Sequence, residues 1–222
     1  KATGDATRIG THGELDGSSL VDLAFDPDGN LYGISMSVTN PWTYEEESEI
    51  VVEARLYKIS PGTGLAVGVG QLGVGVVFEG GLCFTDNGTL YGANQGDASA
   101  ASLFTINPLS GAGSTIGRNA GYSRDINGLA YDGEKLYALE RKTGTLGTID
   151  TLTGAYIPIG LTGLLLSVGN VGGLAFDRST GNLYAALNGG MLCTINKDTG
   201  AATFISFMLP QYGLSFAPPS AW

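Results

Sequence analysis

The chain has one histidine, two cysteines and only 11 basic residues against 21 acidic ones in a length of 222. Each scarcity removes a class of function. A Ser-His-Asp or Cys-His relay would have to use His12. That residue follows an N-terminal segment read below as a peripheral strand, so a surface position is expected for it. A zinc site of the usual His/Cys type lacks ligands. A net charge of −10 argues against nucleic acid, whose binding rests on neutralising phosphates, and against an anionic membrane surface. No apolar run reaches the ~18 residues of a membrane-spanning helix, and Gly160–Val168 is too short. There is no sustained helical period, no GxGxxG in a βαβ context and no P-loop. The scaffold is therefore expected to be all-β and non-enzymatic, with no cofactor.

What is abundant is glycine, 36 residues, and it recurs in register. The stretch Val171–Phe204 divides into four runs of strand length: GGLAFD from Gly172, NLYAA from Asn182, LCTI from Leu192 and the run Ala202–Ser206. Turn residues separate them. The first run returns as VDLAFD, GGLCFT, NGLAYD and YGLSFA, placing leucines at 23, 82, 129, 174 and 214, with spacings of 59, 47, 45 and 40 residues. The second returns as Leu-Tyr at 31–32, 90–91, 136–137 and 183–184. The third returns as LYKIS, LFTIN, LGTID and LCTIN, each followed by a turn ending in Gly64, Gly111, Gly154 or Gly200. The fourth returns as AVGVG, GSTIG, YIPIG and ATFIS. Four-stranded cassettes repeating every ~40–50 residues point to a β-propeller, because units stacked around an axis bury both faces of every sheet. Four units lie near 20–73, 76–117, 124–160 and 170–206, in a single domain over 1–222. Strands are expected near 5–10, 20–26, 31–37, 50–59 and 65–70, and at their repeats.

Two fragments are left over. Thr3–Gly10 matches a turn plus a fourth strand, and Tyr212–Phe216 matches a first strand. A partial fifth blade split between the termini is expected; the alternative is a four-bladed ring. The chain opens inside a repeat turn at Lys1, from which a processed or trimmed N-terminus is expected. Low charge with abundant Gly, Thr and Asn suggests an extracellular or cell-surface location. Cys83 and Cys193 fall in non-adjacent blades, too far apart for a disulfide, and read as buried small hydrophobes.

The pattern GLAFDxxxGxLYA…LYxIDxxTGxAxxIG resembles the repeats of secreted bacterial propellers in the broad NHL, YVTN and SMP-30-like group, over nearly the whole chain. Its motifs are structural, so the resemblance implies fold and leaves activity open. SMP-30-like lactonases hold a metal with Glu, Asn and Asp at one mouth of the central channel. Here Glu79, Asn127 or Asn170, and Asp22 match in residue type, without a confirming motif. Residues leading into the first strands form the wider candidate set: Asp22, Glu79, Asp125, Asn127, Asn170 and Gln211, with Tyr212. Such oxygens could bind Ca²⁺ or another ligand, or merely hydrate the channel. The turns Asp26–Asn30, Thr85–Thr89 and Asp177–Asn182 mimic calcium loops but lack their twelve-residue spacing, and are read as hairpin turns.

Two stretches break the repeat. Leu161–Asn170 is expected to cover a blade edge. Ser37–Ala54, between the second and third strands of the first unit, is expected to project as a hairpin ending in a strand over Ile50–Ile59. It is either a solvated loop or a contact element through Trp42, Tyr44, Ile50 and Val52. The leading expectation is a non-catalytic scaffold that self-assembles or binds a protein partner through the incomplete blade and the 37–59 hairpin. The alternatives are a metal-dependent hydrolase or lactonase at the channel mouth and a sugar-binding module using Trp42, Tyr44 or Tyr212.

Overall fold

A computed structural model describes residues 8–11, 13, 15, 19–36, 38–40, 50–75, 77, 80–94, 103–117, 126–163, 173–187, 190–207 and 213–218, with backbone only for 38–40 and 50–52. The described residues are strands and turns without a helix. Strands are numbered β1–β18 in chain order. Blade one is β1 (Leu20–Phe25), β2 (Leu31–Ser35), β5 (Arg55–Ile59) and β6 (Ala66–Gln71). Blade two is β7 (Leu82–Phe84), β8 (Leu90–Ala93), β9 (Leu103–Ile106) and β10 (Gly113–Gly117). Blade three is β11 (Ile126–Tyr131), β12 (Leu136–Glu140), β13 (Thr145–Ile149) and β14 (Tyr156–Leu161). Blade four is β15 (Gly173–Asp177), β16 (Asn182–Leu187), β17 (Met191–Ile195) and β18 (Ala202–Phe207). Every blade is an antiparallel meander, and the four form the ring of a β-propeller.

Alternation along each strand sends residues to the two faces of its blade, and three interblade junctions are filled by them. Ile34 and Leu56 of blade one pack with Leu82, Leu90 and Phe104 of blade two. Ala93 and Leu103 of blade two pack with Ile126, Leu129 and Leu136 of blade three. Leu139 and Leu146 of blade three pack with Leu174, Leu183 and Cys193 of blade four. The outermost strands β6, β14 and β18 repeat the partly exposed pattern ieeiie, so the backbone ladder rather than burial holds them.

Glycine recurs where backbones touch. Around the axis, a Cβ on Gly81 would lie 2.6 Å from the Leu129 nitrogen, and one on Gly128 2.8 Å from that of Leu174. One on Gly173 would lie 2.6 Å from the Leu214 nitrogen, and one on Gly213 3.0 Å from that of Leu23. Five inner segments therefore encircle the axis, the fifth being Gly213–Pro218. At the periphery, Gly70, Gly117 and Gly160 meet the turns at Gly111, Gly154 and Gly200 of the following blade, and Gly10 meets Thr63–Gly64 of blade one in the same way. The ends of the chain thus line a fifth sector, one at the axis and one at the rim. Neither segment is a strand, so among the described residues four complete blades stand and the fifth position holds these two segments.

The long strand expected over 50–59 is divided. β4 (Ile50–Val52) pairs only with β3 (Val38–Asn40), in a two-stranded sheet outside the blades, and β5 begins at Arg55. The break has a local cause: Ser35 Oγ accepts the Arg55 N–H at 3.0 Å, and Ala54 is buried with its carbonyl taking the Leu72 N–H at 2.9 Å. The chain therefore anchors to the blade at 54–55 and leaves the hairpin free of the blade ladder. The two cysteines are free thiols.

Candidate functional site

Of the residues expected at the entry mouth, Glu79, Asp125, Asn170, Gln211 and Tyr212 lie outside the described residues, as do His12, Trp42 and Tyr44; the side chains of Ile50 and Val52 do too. Asp22 and Asn127 are both buried in inner strands. The Asp22 carboxylate is a staple between segments. Oδ1 accepts its neighbour Leu23 N–H at 2.9 Å, Oδ2 accepts Leu82 N–H of blade two at 2.6 Å, and the Leu214 N–H of the fifth segment also donates to it. Burial pushes its pKa well above the ordinary carboxylate value, against the pull of these donors. Among the described residues no three His, Cys, Asp or Glu side chains gather as a metal site. The Asp26 turn uses its oxygens internally: Oδ1 accepts the N–H groups of Asp28 and Asn30, and Oδ2 accepts Asn30 Nδ2 at 2.7 Å.

The residue after each repeat leucine is small, Ala24, Cys83, Ala130, Ala175 or Ser215, and these line a narrow channel of about 80 Å³. Cys83 sits there with its thiol pKa pushed up to about 12 by burial and by the Asp22 carboxylate. Burial raises the Cys193 pKa as well. Native protein should therefore react with a thiol reagent at pH 7.5 about a thousandfold more slowly than free cysteine. Rapid labelling before unfolding would contradict this.

Two residues after each leucine stands an aromatic: Phe25, Phe84, Tyr131, Phe176 and Phe216. They form a collar where the inner segments leave the channel. The second-strand tyrosine of one blade packs on the collar residue of the next, Tyr32 on Phe84 at 5.3 Å between centroids and Tyr184 on Phe216 at 5.2 Å. Beyond the collar opens a bowl of about 750 Å³ with walls from blades one, two and four and the fifth segment. Arg178 of blade four reaches past Gly133 of blade three to form an ion pair with Asp86 of blade two, with Nη1 3.1 Å from Oδ2. Hydrogen bonding from the Ser179 hydroxyl holds Asp177 below the usual carboxylate range. The sequence offers candidates at the entry mouth and none at this exit. The signal for the exit in the sequence is the aromatic that ends every first-strand motif.

Phe25 faces the sector where the next tyrosine would come from a fifth blade. Instead a cavity of about 480 Å³ opens there, with walls from Ile9, Leu23, Phe25, Leu31, Leu214 and Phe216. On its blade-one side, Leu15 covers Tyr57 and Ile59, and Leu23 and Leu31 pack against them.

Among curated proteins none matches this chain. Among solved structures it is similar to a chain of the nidogen/laminin complex, with 14% identity, TM-score 0.60, and coverage of 92% of this chain and 71% of that one. It is similar to a structural-genomics protein of unknown function from Bacteroides thetaiotaomicron VPI-5482, with 16% identity, TM-score 0.55, and coverage of 89% and 48%. It is also similar to regucalcin, a calcium-binding protein of Agrobacterium tumefaciens str. C58, with 15% identity, TM-score 0.54, and coverage of 92% and 66%. The chain thus spans about half of the Bacteroides protein and about two thirds of the other two. At these identities the likeness is one of fold, in keeping with the NHL- and SMP-30-like repeat pattern. The repeat family described as "Repeat of unknown function (DUF6923)" matches residues 2–210, and the chain belongs to that family.

Proposed function

We propose that the chain is a non-catalytic extracellular scaffold that assembles by taking a hairpin from a second copy into its open fifth sector. The observation that carries this reading is the cavity between the rim segment at Ile9 and the axial segment Gly213–Pro218. In blades one to three, two antiparallel strands fill the corresponding space and bury the next blade's leucines equivalent to Leu23 and Leu31. The sector needs two linked antiparallel strands, and β3–β4 is a linked antiparallel pair that joins no blade. Adding strands to an open edge uses main-chain hydrogen bonds for affinity and side-chain pockets for fit. Exchange from one copy to the next is head-to-tail, so it builds rings or filaments rather than closed dimers. The extracellular placement rests on composition.

Light scattering tests the reading. The protein should grow in mass with concentration up to about 0.1 mM. Replacing residues 41–48 by a two-residue turn should return it to monomer, as should Leu31→Glu on the wall of the cavity. A protein that is monomeric throughout, or whose assembly survives both changes, would overturn the proposal.

A further inference from the structure

The exit bowl lies on the axis, at the collar; it shares Phe25, Phe216 and Ala217 with the open fifth sector, while Phe84, Phe176, Asp86, Asp177 and Arg178 line the bowl and not that sector. Its chemistry is uneven. The floor is aromatic, built from Phe25, Phe84 and Phe176 with Phe216, which is 40% exposed. The polar rim carries Asp26, Asp86 and Asp177 against one cation, Arg178, which is already paired with Asp86. Among the described residues that leaves Asp26 and Asp177 without a cationic partner, each accepting hydrogen bonds inside its own turn. A bowl of this volume, mostly apolar with a few convergent polar groups, has the size and character of a small-molecule site.

The chain itself shows what this combination of groups attracts. At the junction of blades three and four the same motif is occupied. Lys197 Nζ lies 2.7 Å from Asp132 Oδ2, 4.8 Å from the Phe176 ring centroid and 5.7 Å from that of Tyr137. Asp132 follows collar residue Tyr131 in the way that Asp26 follows Phe25 and Asp177 follows Phe176. The carboxylate of one aromatic-Asp step, with the rings of Tyr137 and of the next blade's collar residue Phe176, is thus seen holding an ammonium, an arrangement in which the ring quadrupole and the carboxylate act together. Burial opposes the ionised form of Asp132, yet hydrogen bonds from Lys197 and from the Lys135 and Glu134 N–H groups more than offset it and hold its pKa below the ordinary value. In blade one Lys58, which stands at the repeat position of Thr194, lies 5.8 Å from the Tyr32 centroid, on the second strand rather than in the bowl.

We infer that the exit bowl binds an organic cation: a primary or quaternary ammonium carried on an apolar or aromatic body. The body would lie on the phenylalanine floor and the ammonium would face the rim carboxylates, with Arg178 kept out of its way by Asp86.

The test uses the whole chain and three probes of matched size. 2-Phenylethylammonium carries the charge, 2-phenylethanol lacks it, and 3-phenylpropanoate reverses it. Calorimetric titration at pH 7 and low salt should give binding of the ammonium about threefold to thirtyfold tighter than the alcohol, and weakest binding of the carboxylate. Asp177→Asn keeps a side-chain acceptor for its turn and should weaken the ammonium about fivefold while leaving the alcohol unchanged. Phe216→Ala should weaken both. Melting curves of the variants that match the parent would show that the ring is intact; should either variant fail to fold, the three-probe comparison on the parent chain decides alone. Equal binding of ammonium and alcohol, preferred binding of the carboxylate through Arg178, or no binding of the ammonium at millimolar concentration would each overturn the inference. The three-probe comparison on the parent chain and Asp177→Asn alter no wall of the fifth sector, so their failure is separate from failure of the assembly proposal.

Discussion

Gly128→Val should lower the melting temperature by about 10 °C or more. A Cβ at this position would come to 2.8 Å from both the Cβ and the backbone nitrogen of Leu174, closer than real Cβ atoms are found. Leu174 cannot retreat. It is fully laddered to Ala185 of β16, and its side chain is buried between blades three and four. The two blades must therefore separate at the axis, and separation opens the interblade core that their leucines fill. Overpacking of a well-filled core costs about 1–3 kcal/mol, and a backbone clash at a closed ring stands at or above the upper end. In a chain of this size each kcal/mol moves the midpoint by about 2–4 °C. Gly173→Val carries the same clash, 2.6 Å from the Leu214 nitrogen, and adds a φ of +148°, which a branched side chain resists. Gly62→Ala is the control: it has open space and an ordinary φ, and should change the midpoint by less than ~2 °C. Calorimetry reads all three. A Gly128→Val protein that melts with the parent would mean that the blades can slide apart without penalty.

Those axial glycines were legible in the sequence because a repeat exposes its constraints by restating them. One Gly-Leu pair could be a turn; four at the same strand position mark a place where only a missing side chain fits. The blade boundaries were legible for the same reason, as the Leu-Tyr second strands and the TG turns recur in register. Where the repeat is interrupted, legibility fails. Nothing in IVVEARLYKI signals that the strand breaks at 53–54, because the break depends on Ser35 and Leu72, which lie far away in sequence and only meet Arg55 and Ala54 in the folded blade. The exit bowl was missed for a different reason. Its four phenylalanines are individually ordinary ends of inner segments, and only the ring geometry turns them toward one opening. The charge of the bowl depends in turn on which Asp finds a cation. Lys197 reaches Asp132 from 65 residues away and Arg178 reaches Asp86 from 92 away, distances at which sequence spacing gives no hint of contact.

Asp22 is the one place where the axial repeat departs from glycine, and replacing it should cost about as much as violating the glycines. Asp22→Ala removes the acceptor for the Leu82 and Leu214 N–H groups, leaving buried donors without partners at about 1–3 kcal/mol each. A loss of roughly 3–5 kcal/mol is expected. Asp22→Gly restores the residue found at positions 81, 128, 173 and 213, yet should destabilise to a similar extent, because the donors of its two neighbours are set to meet a carboxylate. The pH dependence follows from the direction of the shift. Burial raises the folded-state pKa above the unfolded value of about 3.9, so the folded chain holds more protons on this group than the unfolded chain does. The contribution of Asp22 is then fully present below pH ~4 and is lost as pH rises through the folded-state value. In Asp22→Asn the group no longer titrates. The stability of the parent relative to Asp22→Asn should therefore be greatest in acid and shrink toward neutral pH, measured as the difference in chemical-denaturation midpoints across that range. A difference that grows with rising pH would show that the three N–H donors outweigh burial and hold the carboxylate ionised, and a stabilised Asp22→Gly would show that the ring closes as well without its staple.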